Sequence, residues 1–156
     1  MIVEDGSSVA NSNSYVSEAD FQAWLTARGY TLTGTAAINL TLAMDYLQTQ
    51  VYLGVQSNLS QSLMWPRTGV YIDGMAVASN EIPTYLKIAQ MQTAWSIDQG
   101  ENPMATTSPG IKREKVDSLE IEYQDGSGKG SNVAVVSSLS KLLANSGAAF
   151  RAGLVV

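Results

Sequence analysis

Residues 35–52 constrain the fold more than any other stretch of this chain. Leu40, Ala43, Met44, Leu47 and Val51 recur at helical spacing as one apolar stripe, and Ile38, Leu42 and Tyr46 form a second stripe beside it. A helix with two apolar stripes is expected at the centre of a bundle, covered on both flanks. Periodicity finds such faces but does not separate a core face from a subunit interface. The chain has 156 residues, enough for one domain with a real core.

The neighbours of that helix can be read on either side of it. Ser17 is a candidate N-cap with Asp20 three residues on, followed by Phe21, Trp24, Leu25 and Arg28, and Gly29 closes the segment. This predicts a helix over 18–28. Ile82-Pro83 opens another over 82–99, with Pro83 in the first turn and Tyr85, Leu86, Ala89, Trp95 and Ile97 as its apolar surface. Residues 133–145, with Val136, Leu139, Leu142 and Leu143, give a fourth. Between the second and third helices, 53–63 reads as an uncharged loop and 68–80 as a hairpin-like excursion around Asp73-Gly74. Leu119, Ile121 and Tyr123 alternate with Glu120, Glu122 and Gln124, a strand pattern that pairs with 111–116 across Asp117-Ser118. The expected fold is mainly α. It is one domain over 1–156, a bundle of about four helices with a β-hairpin near 111–124 and a flexible C-terminal region. Residues 126–132 are a glycine-rich linker, roughly 15 Å long as a free coil, and 147–156 are an apolar tail.

Composition closes off much chemistry. No Cys means no disulfide, no thiolate metal site and no thiol nucleophile, and no His removes the usual base and metal ligand. No Gly-x-Ser-x-Gly elbow is present. Gly126-Ser127-Gly128-Lys129-Gly130-Ser131 departs from a phosphate-binding loop because Gly follows Lys129, so a linker is the better reading. Glu120 and Glu122 share a strand face, which reads better as solvated than as a metal or acid–base pair. No catalytic residue, cofactor or metal is expected. The chain opens with Glu4-Asp5-Gly6 rather than a basic-then-apolar signal, and no apolar run is long enough to span a membrane.

Charge argues about partners. The net charge is −5; residues 1–111 hold three bases (Arg28, Arg67, Lys87) against nine acids, and residues 112–156 six against five. A single-strand binder needs a basic groove with aromatic platforms. Here Lys112, Arg113 and Lys115 form the one basic cluster, surrounded by Glu114, Asp117, Glu120 and Glu122, a mixture that suits an exposed face or a protein contact better than phosphates. Trp24, Trp65 and Trp95 fall at core-like positions. In Trp65-Pro66-Arg67 the indole is expected in the core and the Arg beside a carboxylate.

The ordered set of an acidic opening at residues 1–15, Gln61 ahead of Trp65-Pro66-Arg67-Thr68-Gly69, Ile82-Pro83, and Lys115-Val116 with Leu119-Glu120-Ile121-Glu122-Tyr123 resembles one family. It is a family of small tailed-bacteriophage proteins of the head–tail module, often described as DnaT-like single-strand DNA-binding proteins. The resemblance implies a structural head–tail adaptor, or connector, and not an enzyme. It would form a ring of twelve copies that joins the portal to the tail and lines the DNA exit channel. Its partners would be the portal protein, neighbouring copies, a tail or stopper protein below, and genomic DNA passing without specific binding. No membrane is involved. Its place would be the virion neck, with the host cytoplasm before assembly. The alternative is a single-strand DNA-binding replication accessory. Residues 53–60 lack the bases expected in that loop of relatives, which counts against phosphate contact there.

Candidate assembly residues are Lys112, Arg113 and Lys115 in the hairpin and Phe150, Arg151 and Leu154 in the tail. Burying each apolar side chain of the tail is worth roughly 1.5–3 kcal/mol. An apolar end after the Gly147 break is therefore expected to dock on the portal or a neighbouring copy, with folding back on its own bundle as the alternative.

Overall fold

A computed structural model describes residues 1–104 and 137–144, together with the backbone of 114–116 and 119–121. Three helices form the frame: α1 (Glu18–Thr26), α2 (Ala36–Gln48) and α3 (Thr84–Asp98). The Ser17 hydroxyl accepts from Asp20 N at 3.1 Å and so caps α1. At the other end Tyr30 N reaches back to Leu25 O and Gly29 takes φ +69°, the left-handed close expected of that glycine. Pro83 sits immediately before α3 as its N-cap, and Gly100, at φ +88°, follows its end.

α2 packs along α3, and α1 leans on α2. The inner stripe of α2 behaves as expected: Leu40, Ala43, Met44 and Leu47 are buried with Phe21, Leu25, Leu86 and Ala89. The outer stripe does not. Ile38 is 59% and Leu42 43% exposed; Val51, expected at the end of the inner stripe, lies beyond the helix end and is 61% exposed. The expectation of cover on both flanks is thus corrected among the described residues, because α1 and α3 leave this flank open. Tyr46 is half-buried against the core.

The fold is mixed rather than mainly α. Three two-stranded antiparallel pairs interrupt the helices: β1 (Val55–Gln56) with β2 (Arg67–Thr68), β3 (Tyr71–Ile72) with β4 (Met75–Ala76), and β5 (Glu114–Val116) with β6 (Leu119–Ile121). The β3–β4 turn places Asp73 at φ +52° and Gly74 at φ +83°, the two left-handed residues of a tight hairpin. The first pair makes a strand of part of the expected 53–63 loop. There Gly54 has φ +69°, and a Cβ on it would lie 2.3 Å from Thr68 O, so the close approach requires glycine. The expected hairpin near 111–124 is present, with Glu114 opposite Ile121 and Val116 opposite Leu119.

The expected fourth helix is shorter at its end than its periodicity implies. Helical backbone covers 137–139, and 140–144 turn away. Leu53 N donates to Leu142 O and Ala144 N to Val51 O, so the chain bridges to the end of α2 instead of continuing the helix. Leu139 and Leu142 are nonetheless fully buried, which makes this segment part of the one core. The linker 126–132 and the tail 147–156 lie outside the described residues.

Candidate functional site

Three buried polar groups hold the fold, and none is arranged for catalysis. Arg67 is the first. Its Nε donates to Leu53 O at 2.6 Å, Nη2 to Gly54 O at 2.7 Å and Nη1 to Met64 O at 3.2 Å. The expected carboxylate partner is corrected: the guanidinium gathers the backbone carbonyls of the loop that 52–54 and 64 form. A fork of donors suits this task, since those carbonyls lack strand partners. Trp65 beside it is in the core, as expected, with its ring edge-on to Tyr52, and its backbone N–H donates to the Tyr15 hydroxyl. Burial pushes the Tyr15 phenol above its ordinary pKa, which keeps it a neutral partner.

Gln90 is the second. Its Nε2 donates to Ser14 Oγ at 2.8 Å and to Leu40 O at 3.2 Å, while its Oε1 accepts from Tyr15 N at 3.0 Å. It thereby ties the N-terminal segment, α2 and α3 together. Glu4 is the third. It is fully buried, and its carboxylate accepts from Gly6 N, Ser8 N, Val9 N and Ser12 Oγ. Such a satisfied carboxylate organises the 1–16 loop and has no spare geometry for acid–base work. Sequence reasoning passed over Gln90 and Glu4. The available signal was a glutamine among the apolar positions of α3, and a glutamate inside a run of small polar residues whose N–H groups need an acceptor.

On the surface, Asp98 at the end of α3 clamps the loop before α2. It accepts from Thr33 N, Thr33 Oγ1, Gly34 N and Asn39 Nδ2 at 2.8–3.1 Å. Desolvation raises its pKa, and the four hydrogen bonds outweigh that and hold the carboxyl below its ordinary value.

Among the described residues the bases are not gathered into a groove. Arg67 is buried, Arg28 lies 4.1 Å from the Trp24 ring centroid, and Lys141 is paired with Asp73 at 2.5 Å. An aromatic ladder is present. Phe21, Trp24, Tyr30 and Trp95 follow one another at centroid distances of 6.1, 5.9 and 4.5 Å, the last pair stacked nearly parallel. Trp24 and Trp95 are half-buried rather than core, because this ladder lies at the edge of the bundle.

Apolar surface is the more extensive feature. Leu42, Ile97, Pro103 and Met104, with Asp45 and Glu101, line a groove of about 270 Å³ between α2 and the segment after α3. The shallow face of Ala37, Ile38 and Thr41 adjoins it through Leu42. At the far hairpin Tyr71 and Met75 are exposed.

Of the predicted site residues, Lys112, Arg113, Phe150, Arg151 and Leu154 lie outside the described residues, and Lys115 is placed by its backbone alone, opposite Glu120. Among the described residues no group of three metal-ligating side chains could hold an ion, and no helix is long and apolar enough to cross a membrane.

The model of the family described as "Putative DnaT-like ssDNA binding protein" matches residues 1–155. The chain belongs to this family. Its description names single-stranded DNA as the ligand and agrees with the DnaT-like label of the family that the sequence motifs pointed to, and it says nothing of a head–tail role. No curated protein and no solved structure matches the chain.

Proposed function

We propose that this family member is a non-catalytic structural protein, an adaptor that closes into a ring between portal and tail in the neck of a tailed-phage virion. The observation that carries the reading is an acidic domain with apolar side chains left in solvent: Ile38 and Leu42 on α2, Met104 beside them, and Tyr71 and Met75 on the hairpin. Adjoining exposed apolar positions mark protein contact. A closed ring needs two unlike patches on each copy, one meeting the next copy's other patch. An acidic surface suits a channel through which DNA passes without being held. The partners on this reading are the portal, neighbouring copies and a tail or stopper protein, and the subunit waits in the host cytoplasm before assembly. Electron microscopy of the purified protein, alone and mixed with the portal, tests it. Rings seated on the portal are expected; a protein that stays monomeric in both samples overturns it.

The second reading, a single-strand DNA-binding accessory, has support of its own. The family description names that ligand, and the ladder of Trp24, Tyr30 and Trp95 with Arg28 offers aromatic faces and a cation together. The scarcity of bases in the described fold weighs against it, since phosphate contacts dominate such affinities. Fluorescence anisotropy with an oligonucleotide at physiological salt decides. Weak binding is expected, whereas sub-micromolar binding with a steep salt slope would place this reading first.

A further inference from the structure

We infer that the groove between α2 and the segment after α3 receives the C-terminal segment Phe150–Val156 of a neighbouring copy of this chain. The inference rests on the ring reading above and names the contact that would close it.

The groove and the segment match in chemistry. Leu42, Ile97, Pro103 and Met104 supply an apolar floor, and Asp45 and Glu101 add two carboxylates to the lining. The segment reads Phe-Arg-Ala-Gly-Leu-Val-Val: four large apolar side chains and one cation, Arg151, next to the phenylalanine. An apolar strip with a single positive charge is the complement of an apolar groove with negative walls. The neighbouring Ile38 face, continuous through Leu42, lengthens the track for an extended segment.

The place where the described chain ends supports the same pairing. Ala144 N is bonded to Val51 O, so the described chain ends beside the C-terminal end of α2, the helix that carries the groove. Twelve residues follow Ala144. Extended, twelve residues span at most about 40 Å, against about 20 Å for the thirteen residues of α2. The segment therefore has length to leave its own α2 and lie along that of the next subunit. Each copy then offers one groove and one segment, the two unlike patches of a head-to-tail contact.

The chain has no cysteine, so disulfide trapping is clean. One chain carries Leu42→Cys, at an exposed position, and a second carries Leu154→Cys. A control pairs Leu154→Cys with Tyr71→Cys on the far hairpin. Circular dichroism of each chain verifies folding. The two chains are mixed under mild oxidation, and the expected result is a heterodimer forming at least tenfold faster with Leu42→Cys than with the control. Equal rates overturn the inference. So does a doubly substituted chain, Leu42→Cys with Leu154→Cys, that closes only on itself at high and low concentration alike, which would give the groove to its own tail. The ring reading is judged separately by microscopy of the unmodified protein. Rings without the trapped pair sink this contact alone, and a trapped pair without rings sinks the ring reading alone.

Discussion

On one flank of α2, Leu40, Ala43, Met44 and Leu47 are sealed in the core; on the other, Ile38 and Leu42 stand in solvent. Both flanks have the same periodicity and nearly the same hydrophobicity. The difference lies in what the rest of the chain brings to each. α3 supplies Leu86 and Ala89 to the inner flank, and Gln90 fastens it by donating to Leu40 O. The outer flank receives part of a groove wall. The comparison teaches that helical hydrophobicity reports a face that avoids water, without saying whether folding or association covers it.

The comparison breaks most visibly on the inner flank. Leu40→Ala removes a fully buried side chain and leaves a cavity against α3, and it should cost about 2–5 kcal/mol of stability. Chemical denaturation of the two proteins measures it. A loss under 1 kcal/mol would mean that the inner flank is less tightly packed than its burial indicates.

Next in size is Arg67→Met, which keeps most of the aliphatic bulk and removes the donors. The carbonyls of Leu53 and Gly54 then lose their guanidinium partners. Each buried acceptor left unsatisfied costs about 1–3 kcal/mol, so a total of about 2–4 kcal/mol is expected from denaturant midpoints. Arg67→Lys should recover only part of it, because an ammonium cannot present the planar fork. If Lys restores full stability, the role of Arg67 is charge alone.

A smaller effect is expected at the surface clamp. Asp98 has its carboxyl pKa held below the ordinary value in the folded protein. Its contribution is therefore present above the unfolded pKa and is lost as pH falls through the folded one. Asp98→Asn cannot accept on both sides of the carboxyl group, and should cost about 1 kcal/mol at neutral pH given its exposure. The difference between the two proteins should shrink in acid. Thermal melts at neutral and acid pH verify this, and a difference that grows in acid would contradict it.

The caps and punctuation of the helices were legible because they are local: Ser17 with Asp20, Gly29, Pro83 and Gly100 act within a turn of where they stand. The Asp73-Gly74 hairpin was legible for the same reason, and so was the 114–121 pairing, from its alternation. What escaped depends on distant partners. Arg67 next to Trp65 looked like half of an ion pair, and only the return of residues 52–54 reveals a cluster of carbonyls. Gln90 and Glu4 work across separations or loop shapes that carry no periodic signal. The fate of the outer α2 stripe needed the positions of α1 and α3, which periodicity does not supply. The basic cluster and the tail, central to the sequence reading, fall largely outside the described residues. The family was legible from its ordered motifs, whereas its description speaks for single-strand binding and the adaptor role stays a proposal.

The smallest expected effect on stability is the sharpest test of the comparison. The double substitution Ile38→Ser and Leu42→Ser removes two apolar side chains that are 59% and 43% exposed. Surface changes of this kind usually stay within about 0.5 kcal/mol. Both positions lie on α2, where serine is a slightly poorer helix former than leucine, and that adds a few tenths of a kcal/mol. Denaturation should therefore barely distinguish the variant from the parent, in contrast to Leu40→Ala two residues from either site. Association should respond instead: sedimentation velocity of parent and variant, each alone and with the portal, should show the variant losing the assembled species while its monomer stays folded. If the variant unfolds like Leu40→Ala, the outer flank belongs to the core after all. If it is stable and assembles normally, the exposed stripe has no part in the ring, and the hairpin residues Tyr71 and Met75 become the next surface to change.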